Sequence, residues 1–184
     1  MEWRNLIKQH YEDNWNGKAV SLNWTSGPFE KLYKDFSILE FKPTQKHNMW
    51  TYATCGMSQL EDEPKIELHL FSPEECDDLI ELLTIVAHYH RTGHKLGMGH
   101  TVNFGRPWYS NSKCNYGLLS IPYLDGPQLE WLHISNTSAV RFLWLVPVTK
   151  EEVEFKKRNG LEALENEFEK KTLDYVNPLR ESVV

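Results

Sequence analysis

The apolar positions of the chain recur with two different periods, which predict both helices and strands. A three-and-four spacing over residues 2–14 predicts an amphipathic helix that ends before Asn16-Gly17. Three strand-like segments follow at residues 36–41, 49–55 and 65–71. In the third segment, apolar Ile66, Leu68 and Leu70 alternate with polar Glu67 and His69. This alternation predicts a strand with one buried face and one face in water.

The next segment carries a helix-start pattern. Ser72-Pro73-Glu74-Glu75 has the spacing of a capping box, with Ser72 at the N-cap and Glu75 reaching back to it. The pattern predicts a helix from about Pro73 to Arg91, with Gly93 as its stop. Its expected buried face consists of Cys76, Leu79, Ile80, Leu83, Val86 and Ala87.

The second half of the chain predicts a loop, three strands and two helices. Residues 103–117 are rich in turn formers and predict a surface loop, followed by strands at 118–121, 129–134 and 140–148. The last strand is almost continuously apolar, so we expect cover on both of its faces. A second capping box, Thr149 to Glu152, predicts a helix to about Arg158; after Asn159-Gly160 another helix carries Leu161, Leu164 and Phe168.

These elements predict an α+β fold, a single domain over residues 1–184 with a central mixed, largely antiparallel sheet and helices packed on it. A chain of 184 residues that is 40% hydrophobic is large enough to build one core. Its three cysteines form no CxxC pair, and no signal segment or run of about 20 apolar residues is present. We therefore expect a cytoplasmic protein with reduced thiols and no membrane partner.

The net charge of −6 is unevenly distributed. Residues 61–82 hold nine acidic residues and a single base, Lys65, whereas the basic runs are short, at 156–158 and 170–171. The shortage of clustered bases argues against direct nucleic-acid binding. The acids either keep the protein soluble or attract a basic protein partner. The candidate partner-binding acids are Glu61, Asp62, Glu63, Asp77 and Asp78.

Four of the eight histidines lie between Ala87 and His100, which raises the question of a metal site or a catalytic base. On a helix, His88 and His90 point about 200° apart, and Gly93 separates His90 from His94. No HExxH or G-x-S-x-G motif is present. Histidines of a helix end or of the core are therefore favoured. The enzymatic alternative is a metal-assisted hydrolase that uses His90, His94 and His100.

Other catalytic pairings receive less support. Cys55 or Cys114 with His100 would make a nucleophile and a base, because such residues need not be close in sequence. Cys55 lies at the end of an apolar strand, however, where a cysteine is usually an inert small hydrophobe. Glu67 and Glu130 could pair as carboxylates, but strand glutamates are usually solvated.

Several short segments, in order over about residues 35–170, resemble the Suppressor of fused (SUFU) family. They are WTYATCGMS at 50–58, IELHL at 66–70, VAHYH at 86–90, GHT at 99–101 and LWLVPVT at 143–149. The resemblance implies a compact α+β domain that binds other proteins, with no enzymatic activity, no metal and no cofactor. Animal members carry a further C-terminal domain, and this chain is more similar to the stand-alone bacterial members.

Those bacterial members are proposed to be immunity proteins, which gives the leading hypothesis. By this resemblance the chain would be a cytoplasmic antitoxin that neutralises a polymorphic toxin, such as a basic nuclease, by direct binding. The alternative is a regulatory scaffold for an endogenous protein. His100, the one histidine inside a family-like segment, is a further candidate partner-binding residue, although we expect it to form buried hydrogen bonds to the neighbouring loop. Gly56 is expected to serve backbone geometry at a strand end.

Overall fold

The computed structural model describes residues 3–184, which form five helices and eight strands. The helices are α1 (Trp3–Trp15), α2 (Asp78–Thr92), α3 (Pro127–Glu130), α4 (Lys150–Asn159) and α5 (Leu161–Lys170). The strands are β1 (Val20–Leu22), β2 (Ser37–Phe41), β3 (Trp50–Cys55), β4 (Ile66–Ser72), β5 (Thr101–Asn103), β6 (Tyr116–Ser120), β7 (Trp131–Ser135) and β8 (Ser138–Val148).

All eight strands belong to one sheet, in the order β1-β2-β3-β4-β8-β6-β5, with β7 paired to the beginning of β8. Strands β1 to β4 are antiparallel neighbours, and β4 then pairs in parallel with residues 141–144 of β8. The long β8 pairs in antiparallel fashion with both β6 and β7. This topology confirms the α+β fold with a mixed, largely antiparallel sheet.

Helices cover both faces of the sheet. Helix α2 packs on one face, where Leu68 and Leu143 belong to the same apolar cluster as Leu83. Helix α1 packs on the other face against Phe142, and α4 and α5 cover the same side further along β8. The cover predicted for both faces of β8 is therefore confirmed.

The one wet face predicted for β4 is wrong. Glu67 and His69 are fully buried, because α1 and its neighbours cover the face on which they lie. A strand pattern reports the polarity of its own side chains and carries no information about a helix 50 residues earlier in the chain. The two buried polar residues consequently need partners inside the protein.

The capping box predicted at Ser72 is also wrong. Ser72 is the last residue of β4, where it is paired with Trp50 of β3. Its hydroxyl donates a hydrogen bond to the carbonyl of Glu74 instead of capping a helix (2.6 Å). The helix begins five residues later than Pro73, at Asp78, and it ends at Gly93 as predicted. Pairing with β3 keeps the Ser72 backbone extended, which outweighs the local preference for a helix start.

The other boundaries follow the prediction more closely. Thr149 and Glu152 form the predicted capping box, with both reciprocal hydrogen bonds present. Helix α1 ends at Trp15 as expected, although Glu2, the predicted first residue of that helix, lies outside the described residues. The strand predicted at 129–134 begins two residues later, because α3 occupies Pro127–Glu130. The loop predicted at 103–117 lies between β5 and β6, which pair with each other.

Candidate functional site

A groove of about 380 Å³ runs along the outer edge of β5 and is the candidate functional site. Within residues 3–184, β5 pairs with β6 and with no other strand, so its second edge faces this groove. We call this feature the edge groove. It is lined by Leu82, Ile85, Val86 and Tyr89 of α2, by Thr101, Val102, Asn103 and Phe104, and by Tyr116 and Lys157.

The backbone of β5 presents hydrogen-bonding groups to the edge groove. On the β6 side, the N–H of Leu119 donates to His100 and the N–H of Phe104 donates to Asn115, both at 2.9 Å. Residues of an antiparallel pair alternate between bonding to the neighbouring strand and pointing away from it. By this alternation, the N–H and C=O groups of Thr101 and Asn103 point into the edge groove. They form a short row of donors and acceptors that an extended chain could pair with.

The wall opposite this row is apolar. Leu82, Ile85 and Tyr89 are spaced three and four residues apart and so form one stripe along α2. Along this stripe Leu82 is 2% exposed, Ile85 is half-buried and Tyr89 is 40% exposed. Such a stripe next to an unpaired strand edge is typical of a surface that buries a partner.

Gly117 of β6 determines the shape of the groove floor. A Cβ atom at this position would lie 2.5 Å from Leu145 and 2.6 Å from the ring of Phe104. Because the residue is glycine, the Phe104 ring packs directly against β6. Any larger side chain at position 117 would push Phe104 towards α2 and narrow the edge groove.

Polar or charged side chains lie near the two ends of the edge groove. Asp78 lies one helical turn before Leu82 and is exposed, as is Asp77. Arg106, just after β5, joins the two walls here, because its Nη2 lies 2.6 Å from Glu81 and 3.2 Å from the carbonyl of Asp78. The start of α2, with Asp78 and the preceding Asp77, therefore lies near this end of the groove, although neither residue lines it.

His100 stands at the other end of β5 and is exposed. The expectation that its side chain forms buried hydrogen bonds is therefore wrong. Its backbone is held by the neighbouring loop instead, because its N–H donates to the carbonyl of Gly97 at 3.0 Å. The imidazole is left accessible immediately before the unpaired edge of Thr101.

The remaining acidic candidates are at the opposite end of α2. Asp62 accepts a hydrogen bond from Arg91 at 2.6 Å and lies 3.6 Å from Lys95. Partial burial would raise the pKa of Asp62, but the hydrogen bonds from Arg91 and the Gln59 N–H outweigh it and lower the pKa. Helix α2 is about 22 Å long at 1.5 Å per residue, so the segment 61–82 contributes two separate acidic groups rather than one patch.

The histidine-rich segment is dispersed in the structure. His90 is fully buried, and its Nδ1 accepts a hydrogen bond from the N–H of Leu96 at 2.9 Å. Burial lowers its pKa to about 4. His94 is exposed, and His88 points towards Glu30 at 4.0 Å. In the part of the chain that the structure describes, no three His, Cys, Asp or Glu side chains are arranged to hold a metal ion.

The other catalytic candidates have structural partners. Burial, followed by the negative charge of Glu67, raises the pKa of Cys55 to about 12, which keeps its thiol protonated and unreactive. Burial likewise raises the pKa of Cys114. Glu130 forms an ion pair with Arg141 at 2.7 Å. The carboxylate of Glu67 accepts hydrogen bonds from the Thr54 hydroxyl and from three successive backbone N–H groups, those of residues 56–58.

The glycine at the start of that backbone nest supports the interpretation of Gly56 as a geometric requirement. Its φ of +89° lies in the region that glycine adopts readily, and it turns the chain at the end of β3 so that the N–H groups point at Glu67. Glu67 thus serves the fold of the β3–β4 connection.

Sequence reasoning did not identify the edge groove. One signal was available, since Leu82, Ile85 and Tyr89 are apolar but lie off the predicted buried face of α2. A second apolar stripe on a helix indicates either additional cover or an exposed binding face. The pairing of β5 with β6, which places an unpaired strand edge beside that stripe, is not evident from local sequence.

Known proteins share this architecture. A SUFU homologue from Neisseria gonorrhoeae FA 1090 is 31% identical, with a TM-score of 0.86 over 99% of this chain and 97% of its own. The Sufu–Fu complex matches at 20% identity and a TM-score of 0.66, covering 98% of this chain and 90% of the other. Drosophila Suppressor of Fused matches at 18% identity and a TM-score of 0.65, and this chain spans half of its length. The last two likenesses show the fold alone.

The comparison with curated proteins gave no match. Within residues 3–184, no helix has the length and apolar character needed to cross a membrane. The Sufu–Fu complex shows that a SUFU protein binds another protein, and the family is not known for an enzymatic activity. The sequence profile of the Suppressor of fused protein (SUFU) matches residues 33–181. With that match and the 31% identity to the Neisseria homologue over nearly its whole length, the chain belongs to the SUFU family.

Proposed function

We propose that this chain is a non-enzymatic protein-binding module that takes up an extended segment of its partner in the edge groove. The observation that carries the proposal is the unpaired edge of β5 facing the apolar stripe of α2 across one groove. An added strand would hydrogen-bond to the backbone of Thr101 and Asn103. Its alternate side chains would bury against Ile85 and Tyr89.

The short length of β5 limits the size of the bound segment. Three strand residues span about 10 Å, which is enough for a few backbone hydrogen bonds. Specificity would therefore depend on the side chains at the groove walls and ends. Apolar residues fit the α2 wall, a basic residue fits the Asp77–Asp78 end, and a carboxylate or carbonyl fits His100.

We further propose that the partner is a cognate toxin and that the chain acts in the cytoplasm as its immunity protein. Support comes from the similarity to stand-alone bacterial SUFU proteins and from the acidic end of the edge groove, which suits a basic nuclease-like partner. Because Glu61, Asp62 and Glu63 lie at the far end of α2, the proposal assigns groove contacts to Asp77, Asp78 and His100.

Co-expression with the protein encoded beside the gene tests both levels of the proposal. The wild-type chain should restore growth to cells that produce a neighbouring toxin, and Ile85→Arg, which places a charge on the groove wall, should abolish protection. Leu60→Arg is the matched control, since Leu60 is also apolar and is 53% exposed outside the groove. Equal protection by both variants would overturn the assignment of the groove.

The identity of the partner is tested separately from the role of the groove. If purified chain binds no neighbouring effector and gives no protection, the immunity role is wrong. An endogenous protein that binds the wild-type chain and Leu60→Arg, but not Ile85→Arg, would then support the regulatory scaffold and leave the groove assignment intact.

A further inference from the structure

A buried polar cluster lies on the α1 face of the sheet, away from the edge groove. Four segments meet there through Trp15 of α1, His47 of the β2–β3 loop, His69 of β4 and Asp125 of the turn after β6. The Trp15 indole donates to Asp125 Oδ1 at 2.7 Å. His47 Nδ1 lies 3.8 Å from Asp125 Oδ1, and His69 Nε2 lies 3.6 Å from Asp125 Oδ2.

This cluster is incompletely hydrogen-bonded. Neither ring nitrogen of His69 has a partner, nor does Asp125 Oδ2, although the two side chains are 0% and 5% exposed. His47 is better satisfied, since its Nε2 lies 2.7 Å from the Thr51 hydroxyl. Separations of 3.6 and 3.8 Å are too long for hydrogen bonds but short enough for an ion pair. An ion pair can form across these distances only when a histidine carries a proton and Asp125 does not.

The groups that surround the cluster are aromatic rings and tyrosines that stay neutral, so Asp125 and the two histidines are the groups that exchange a proton. The rings of Trp15, Tyr11 and Phe71 pack around His69 with centroids 5.4 to 6.2 Å away. The other titratable groups facing it are Tyr11 and Tyr175, whose pKa values are raised by burial and by the charge of Asp125, so both stay neutral. Beyond Tyr11 lie Glu67 and Cys55, and beyond Tyr175 lies Asp174. Among the described residues, no Lys or Arg side chain lies within 4.0 Å of Asp125, and the ionisable groups within that distance are these two histidines.

We propose that Asp125, His47 and His69 form a proton-controlled latch that holds the 121–126 turn on the sheet at neutral pH and releases it in mild acid. The turn carries two of the exposed large apolar side chains, Tyr123 and Leu124. Release of the latch would change the surface that these two residues present.

The proton count gives the direction of the effect. Burial raises the pKa of Asp125 to about 6 and lowers the pKa of His69 to about 3; it also lowers the pKa of His47. In the closed cluster Asp125 therefore takes up a proton near pH 6, whereas both histidines bind a proton only at a lower pH than they would in water. Once opened to water, both histidines regain a pKa of about 6.5 and together bind two protons. Because the open state binds more protons below pH 6.5, acid favours opening.

Hydrogen exchange of the turn amides in the full chain tests this latch. The N–H groups of Asp125 and Gly126 both donate to the carbonyl of Pro122 at 3.1 Å and report its opening. From pH 7.5 to 5.5, with intrinsic exchange corrected, the opening constant should rise severalfold in the wild type. The amides of β8 should keep their protection, which separates a local release from global unfolding.

Two variants should shift this response in opposite directions. His69→Gln removes one proton from the open state and should make the rise smaller than in the wild type. Asp125→Asn removes the proton from the closed state and should make the rise larger than in the wild type. His133→Gln, an exposed histidine of β7, is the control and should behave as the wild type. If His69→Gln does not fold, His47→Gln at the 13% exposed position makes the same test.

The latch is overturned if the wild type shows no pH response in the turn, if β8 loses protection to the same extent, or if Asp125→Asn and the histidine variants respond alike.

Discussion

Arg180, four residues before the last residue of the sequence, reaches back to Glu152 at the start of α4 and forms a two-pronged ion pair with it. Arg180 Nη1 lies 2.6 Å from Glu152 Oε1, and Nη2 lies 2.8 Å from Oε2. The same carboxylate accepts hydrogen bonds from the backbone N–H groups of Thr149 and Val183. Glu152 therefore caps α4 and also binds Arg180 and Val183, which holds residues 180–183 against the start of α4.

Loss of Arg180 should be strongly destabilising. The two side chains are 6% and 0% exposed, so Arg180→Ala leaves a carboxylate buried without its counter-charge. We expect the free energy of unfolding in urea to fall by about 3–5 kcal/mol. Lys150→Ala removes an exposed partner of Glu154 and should change it by less than about 0.5 kcal/mol. A loss below about 1 kcal/mol for Arg180→Ala would show that the tail contributes little.

Replacement of Glu67 by glutamine should destabilise the β3–β4 connection. An amide nitrogen cannot accept the hydrogen bonds that one carboxylate oxygen now receives from the backbone nest, so at least one buried N–H loses its partner. We expect Glu67→Gln to cost about 1–3 kcal/mol in urea unfolding. Glu61→Gln, exposed in the same connection, is the control and should stay within about 0.5 kcal/mol of the wild type. Equal stability of both variants would contradict this role of Glu67.

His90 should make the protein less stable as the pH falls. Its folded pKa of about 4 lies below the unfolded value of about 6.5, so the unfolded chain binds the extra proton between these two values. The stabilising contribution is complete above pH 6.5 and is lost towards pH 4. Between pH 7 and 5, the wild type should lose roughly 1–2 kcal/mol more than His90→Gln. His94→Gln, at an exposed position, should follow the wild-type profile; a His90→Gln profile parallel to it would refute the assignment.

Local signals in the sequence identified the elements whose boundaries depend on neighbouring residues. Thr149 and Glu152 are three residues apart, and their reciprocal hydrogen bonds need no distant partner. Ser72 and Glu75 have equivalent spacing, yet Ser72 pairs with Trp50 and remains in a strand. The difference between the two sites is a pairing partner 22 residues away. The pairing partner determines whether the segment becomes a strand or a helix start, but it cannot be recognised from the four-residue pattern.

The same limit applies to the proposed binding surface. The acidic residues 61–82 are contiguous in sequence, but α2 carries them to two ends about 22 Å apart. Conversely, Ile85 and Thr101 are 16 residues apart and line one groove. His100 is a candidate because of the family-like segment in which it occurs. The α2 stripe becomes a candidate only once the sheet order shows that an unpaired strand edge lies beside it.

The separation of the acids leads to a charge-reversal prediction for the proposed basic partner. Asp77→Lys with Asp78→Lys alters the end of the edge groove, whereas Glu61→Lys with Glu63→Lys makes the same change in net charge at the far end of α2. At about 50 mM salt the first pair should slow association with the neighbouring toxin about tenfold, and the second pair much less, because exposed charges are screened over about 10–15 Å. At about 300 mM salt the difference should shrink. Stopped-flow association rates give both values. Equal slowing by both pairs would mean that net charge alone steers the partner, and the Asp77–Asp78 end would then have no special part in binding.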